Sequence, residues 1–221
     1  EVLVHDSHGG FPNMPPDVLD ARARVVQGKP RYLSMVAGVE EDGVEAVCMV
    51  GYHSRAQGRG ILAHTINSFA FAGIRLGEQE LGEAGIYGAL AGEYGVPVVM
   101  GSGDDVFISE NRGLFPHATF VETKKATGFN SGVSLSPEQS RKAIRAGVVE
   151  ALAARGNAKP LVFKGPQVVT LRTQSPMMAD LFCQWPTFER VDGVTLRFTA
   201  ETVEAAVRML NCCSAMSSML R

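Results

Sequence analysis

Three short apolar runs break off into glycines, histidines or acids, and helix-like stretches stand between them. The chain opens EVLV and turns at once into HDSHGG; Val47–Val50 leads into GYHS; VPVVM at 96–100 leads into GSGDD. Brief, fully apolar runs bounded by turn formers are the pattern of strands covered on both faces. Alternation of such strands with helices predicts an α/β fold, with a mainly parallel sheet carrying helices on both faces. Sites in sheets of this kind form at the carboxyl ends of the strands. The polar residues that close each run are therefore the first place to look for chemistry.

Other segments fill in the order of elements. SFAFAGIRLG (68–77) alternates as a half-exposed strand would, and ATFVET (118–123) is a further strand. LGEAGIYGALAGEYG reads as a helix with small residues on one face, closed by Gly95. The strongest helix start is SLSPEQSRKAIRAGVVEALAARG: Ser136 can cap, Pro137 suits the first turn, Gln139 stands where a capping box places it, and the helix should stop near Gly156. Beyond it, PQVVTLRT and TFERVDGVTLRFT read as strands around a short helix, SPMMADLFCQ. The last helix is expected from about Ala200, with Thr199 as cap and Val203, Val207 and Leu210 on one face. The expected organisation is a metal-binding α/β domain over residues 1–160 and a smaller C-terminal α+β portion over 161–221.

Charge and composition exclude several classes of function. Twenty-one basic and 23 acidic residues leave a net charge of −2, without the Lys/Arg run that nucleic-acid binding calls for. No apolar run is long enough for a bilayer span, so no membrane partner is expected. Cys48, Cys183, Cys212 and Cys213 form no C-x-x-C pair and read as reduced thiols of a cytoplasmic protein. GSGDDV lacks the third glycine of a dinucleotide fingerprint, since Val106 stands there. No Walker lysine, H-E-x-x-H or G-x-S-x-G is present.

Histidines carry the most chemical interest. His8 closes the first run, His53 the second, and His64 follows in ILAHTIN. If the first two strands are parallel, His8 and His53 emerge at the same sheet edge. Two imidazoles there with a carboxylate nearby suit zinc; each alone also reads as a loop histidine bonded to backbone, and both readings stand. His5 and His117 have no such placement. Glu83 opens a helix, where it either offsets the helix dipole or projects as a ligand. Asp104 and Asp105 end the third strand as turn residues or as supports for a ligand. Asp6 either orients His8 or caps the turn, and Lys124 and Lys125 read as a solvated pair.

LVHDSH, MVGYHSR, ILAHTIN, LGEAGIYGALAGEYGVPVVMGSGDD and SLSP occur in this order and at fitting spacing. In that combination the sequence resembles the zinc-dependent D-aminopeptidases of the DppA type, from residue 1 through the Ser136-capped helix and more weakly to the C-terminus. The resemblance implies a metal-dependent hydrolase of short peptides with an N-terminal D-residue such as D-Ala, with two Zn2+ ions per subunit. It implies His8 and Glu83 as ligands of one ion, His53 as a ligand of the other, and His64 as the catalytic histidine. It also implies ring-like homo-oligomers, decamers by analogy. The family carries an Asp-x-Glu pair on a leading strand, and no matching pair occurs here. A leading βα unit is therefore expected ahead of Glu1. A relative that binds metal or peptide without catalysis, and a metal-dependent amidase or esterase, are the alternatives.

Overall fold

The computed structural model describes residues 1–221, apart from the side chain of Pro16. Strand β1 (Val2–His5) pairs in parallel with β2 (Ala23–Val26) as a two-stranded sheet. Strand β3 (Val47–Met49) opens a second sheet. A long loop then leads to β4 (Phe71–Leu76), β5 (Gln79–Glu80) and helix α1 (Glu83–Glu93). Strand β6 (Val98–Asp104), helix α2 (Asp105–Asn111), strand β7 (Thr119–Gly128), strand β8 (Ser131–Ser134) and helix α3 (Pro137–Ala153) follow. The chain ends with β9 (Gln167–Thr173), α4 (Pro176–Phe182), β10 (Glu189–Arg190), β11 (Thr195–Ala200) and α5 (Val203–Met216).

The α/β class holds, and its parallel part is the sheet β3-β6-β7-β8, in which only β8 runs antiparallel. A five-stranded antiparallel sheet, β10-β11-β9-β4-β5, stands beside it. The portion expected over 161–221 therefore shares its sheet with β4 and β5, which come from earlier in the chain. Buried residues of both sheets, among them Met49 and Val98 of one and Ile74 and Leu171 of the other, belong to one apolar cluster.

Three expectations are corrected. The run at Val47–Val50 is not wholly buried: β3 ends its sheet, and Cys48 and Val50 are exposed. β4 is buried at nearly every position rather than on alternate ones, because it lies between β9 and β5 with apolar packing on it. The final helix starts later than expected. Pairing of β11 with β9 continues to Ala200, which holds Thr199 in the ladder, and Thr202 takes the cap through its side chain to Ala205 N at 3.0 Å. Glu93, at the end of α1, accepts from the backbone N–H groups of Val203 and Glu204 at 2.6 and 2.8 Å, so α1 completes the cap of α5.

Helix α1 positions the site. Its residues 83–92 are all buried, as a helix apolar or small on every side must be. Small residues let neighbours approach: a Cβ at Gly88 would lie 2.5 Å from Phe115, and one at Gly92 would overlap the carbonyl of Leu161. Gly95 adopts φ +76° and ends the helix, with Val96 N bonded back to Ala91 O at 3.0 Å. As expected, Ser136 caps α3, accepting from Gln139 N at 3.3 Å.

Candidate metal centre

The site forms where the loop after β3 meets the first residue of α1. Gly51 N donates to Ser102 Oγ at 3.0 Å and Tyr52 N to Ser102 O at 2.9 Å, which ties the loop to the carboxyl half of β6. Asp104, at the end of β6, accepts from Phe107 N at 2.8 Å as the cap of α2. Its other oxygen accepts from Ile61 N at 2.6 Å. One buried carboxylate thus pins the loop between the two histidines that it carries. Asp105 accepts from Ala126 N at 2.8 Å and stays outside the cluster.

His53, His64 and Glu83 converge. One ligand atom from each lies within 4.8 Å of the others. His53 Nε2 is 3.4 Å from Glu83 Oε2, and His64 Nε2 is 3.8 Å from Glu83 Oε1. The two imidazoles stack with centroids 3.9 Å apart and planes inclined by 20°. Backbone carbonyls settle their tautomers: His53 Nδ1 is 3.1 Å from Ser54 O, and His64 Nδ1 is 2.7 Å from Leu62 O. A carbonyl only accepts, so each Nδ1 carries a hydrogen and Nε2 is the atom presented to the carboxylate: protonated, it donates to Glu83, and without that proton its lone pair is free for a metal ion. Two imidazole nitrogens and one carboxylate oxygen are a donor set for zinc, and histidines whose far nitrogen is held by a carbonyl are how metal sites orient their ligands.

Glu83 is 6% exposed and opens α1, where the helix dipole favours negative charge. Burial works against its ionisation. The hydrogen bond and charge of His53, the charge of His64 and the N–H of Ile66 outweigh it and hold the carboxyl below the usual range. Burial also disfavours the charged form of His53, yet Glu83 raises its pKa overall. The donor from Ile66 has an unusual origin. Ile66 sits at φ +60°, a left-handed conformation that β-branched residues avoid, and its N–H reaches Glu83 Oε1 at 2.7 Å. Gln57 (φ +62°) and Leu62 (φ +54°) are held the same way in the same loop.

His8 is not among the clustered residues. It lies exposed in the turn after β1, and β1 and β3 pair in separate sheets, so the expected shared sheet edge is not formed. Asp6 organises that turn, accepting from Asn13 Nδ2 at 3.0 Å, Met14 N at 2.7 Å and His8 N at 3.4 Å. His5 is partly buried, His117 is exposed, and Lys124 and Lys125 lie on β7; none joins the cluster. Sequence reasoning missed the Ile66 amide and the Asp104–Ile61 bond, because backbone donors leave no trace in residue type. It also missed a pocket of about 290 Å3 lined by His64 together with Ala56, Gln57, Ser68, Phe129 and Gln174.

Comparison with known proteins gives concordant results. The Peptidase_M55 family model, described as D-aminopeptidase, matches residues 1–212. A D-aminopeptidase of Bacillus subtilis (strain 168) is 29% identical over 212 residues, covering 95% of this chain and 77% of that protein. A solved structure described as the Zn-dependent D-aminopeptidase DppA from Bacillus subtilis, a self-compartmentalizing protease, matches with a TM-score of 0.92 at 26% identity. That match covers 99% of this chain and 79% of the other.

Proposed function

The chain belongs to the Peptidase_M55 family of D-aminopeptidases, and from that premise we propose that it is a zinc-dependent peptidase that removes an N-terminal D-residue, such as D-Ala, from short peptides. The observation that carries this reading is the convergence of His53, His64 and Glu83. The residues fit zinc: the oriented Nε2 of His53 and a buried anionic oxygen of Glu83, with His64 beside them and room on the pocket side for a substrate group. Zinc bound there supplies Lewis acidity toward the scissile carbonyl and makes water a nucleophile near neutral pH.

His53 Nε2 and Glu83 hold the ion in this reading. Ile66 N–H and the α1 terminus keep Glu83 ionised, so the ligand is ready without a proton to lose. His64 differs from His53 in lining the open pocket, where it can reach substrate. Its Nδ1–H is committed to Leu62 O, so Nε2 takes a proton as water attacks the carbonyl carbon and passes it to the leaving amine as the C–N bond breaks.

The test uses the purified chain. The parent should contain zinc by elemental analysis and cleave D-Ala peptides in preference to L-Ala peptides. His53→Ala should lose zinc and turnover together. His64→Ala should keep zinc while kcat falls about a hundredfold or more. The 4.8 Å convergence also favours a second reading, in which His64 is a third ligand; zinc loss in His64→Ala would establish that one instead. Stoichiometry settles whether one ion or two are held. A parent that does not cleave D-peptides overturns the assignment. The four free cysteines support a cytoplasmic setting as part of the same proposal.

A further inference from the structure

We infer that the pocket beside His64 receives the residue on the leaving side of the scissile bond, and that it selects an uncharged side chain there. This rests on the peptidase reading above. Of the three clustered residues, only His64 lines the pocket. A group that hands its proton to the leaving amine faces the leaving side, so the cavity that His64 helps to line lies under the second residue of the substrate.

The wall determines what fits. Ala56, Ala63 and Gly58 contribute no bulk, and Phe71 and Phe129 contribute apolar surface. Gln57, Ser68 and Gln174 are its neutral polar members; apart from His64, no wall residue can carry charge. Gln174 Nε2 donates to Ser68 O at 3.2 Å and Phe71 O at 3.1 Å. Both amide hydrogens are therefore spent on the protein, and Oε1 is the atom left to accept from an amide of the substrate. A carboxylate entering this wall loses hydration without meeting a cation, and an ammonium loses it without meeting an anion. A volume of about 290 Å3 is at the small end for ligand pockets, about 300–1,000 Å3, which suits one residue rather than a long segment.

The wall is also held in place. Leu62 N donates to Phe129 O at 2.8 Å, which joins the β7–β8 turn to the loop that carries His64. Ala56 N donates to Thr65 Oγ1 at 2.9 Å, and Arg55 N to Glu110 Oε2 at 2.9 Å. Gln57 keeps its left-handed conformation between these ties. Phe129, by contrast, is 54% exposed, so its side chain can be changed without disturbing the core.

The experiment compares kcat/KM for two substrates of matched shape, D-Ala-Gln-NH2 and D-Ala-Glu-NH2, in the zinc-loaded parent and in Phe129→Lys and Phe129→Gln. The parent should prefer the Gln substrate by about tenfold. Phe129→Lys should remove or reverse that preference, whereas Phe129→Gln, which loses the ring without adding charge, should keep it. A parent that cleaves both substrates equally overturns the neutral pocket. A preference untouched by Phe129→Lys removes Phe129 from the wall and overturns the assignment of the pocket. A parent that cleaves neither substrate nor any other D-Ala peptide overturns the peptidase reading, and this inference with it.

Discussion

At the scale of single residues, burial makes ordinary side chains do different work. Glu83 is removed from water and His5 partly so, and only for Glu83 do the partners that favour its charge outweigh burial. His5 has no hydrogen-bond partner for its buried Nδ1. Burial first, and then the nearby Arg31 charge, lower its pKa to about 4, against the opposing pull of Glu40 and Glu41. An unfolded chain binds that proton near pH 6.5, so between about 6.5 and 4 the unfolded state holds more protons. Stability should therefore fall as the pH is lowered through that window. The contribution should be on the order of 1–2 kcal/mol, allowing for the partial exposure of the ring. Urea unfolding of the parent and His5→Gln at pH 7 and pH 5 tests this. His5→Gln should show the shallower acid loss, and parallel losses would show that His5 titrates normally.

At the scale of elements, α1 is where sequence economy and packing meet. A helix with three glycines should be poor by propensity, since each costs about 1 kcal/mol against alanine. It forms because its glycines allow contacts that a methyl group would prevent. Gly88→Ala and Gly92→Ala should therefore destabilise by about 1–3 kcal/mol despite the better propensity, through contact with Phe115 and the Leu161 carbonyl. Gly156→Ala is the control, because nothing lies within 4 Å of a Cβ there, and it should stay within about 0.5 kcal/mol. Chemical-denaturation midpoints decide. Equal stability of Gly92→Ala and the parent would mean that the 161 segment yields without cost.

At the scale of the whole molecule, the two larger sheets are not separable units. β4 hydrogen-bonds to β9 in one sheet while the loop before it carries His53 and His64, and Glu93 caps α5 from the end of the helix that begins at Glu83. Unfolding should thus be a single cooperative transition, and zinc should raise its midpoint. Among the described residues, no helix is long and apolar enough to cross a membrane. The solved relative is described as self-compartmentalizing, and on that likeness we propose that this chain assembles as a homo-oligomeric ring. Size-exclusion chromatography with light scattering measures it, and a monomer at micromolar concentration would contradict the expectation.

Much of this protein is legible in its sequence because local rules fix it. Apolar runs made β6, Ser136 and Pro137 started α3, and Gly95 closed α1, each by chemistry confined to a few neighbouring residues. His53 and Glu83 were visible as residue types after a strand and at a helix start, and His64 through the family resemblance. Tertiary structure alone decided the rest. It set which strands pair, and so placed β4 beside β9 and β1 in a different sheet from β3; pairing between distant segments depends on the whole core and not on the local pattern. The pairing of β11 moved the cap of the last helix from Thr199 to Thr202. Tertiary structure also stacked His64 on His53, left His8 in an exposed turn, and held Ile66 in a conformation that it would not choose alone, because only the assembled fold outweighs that local strain.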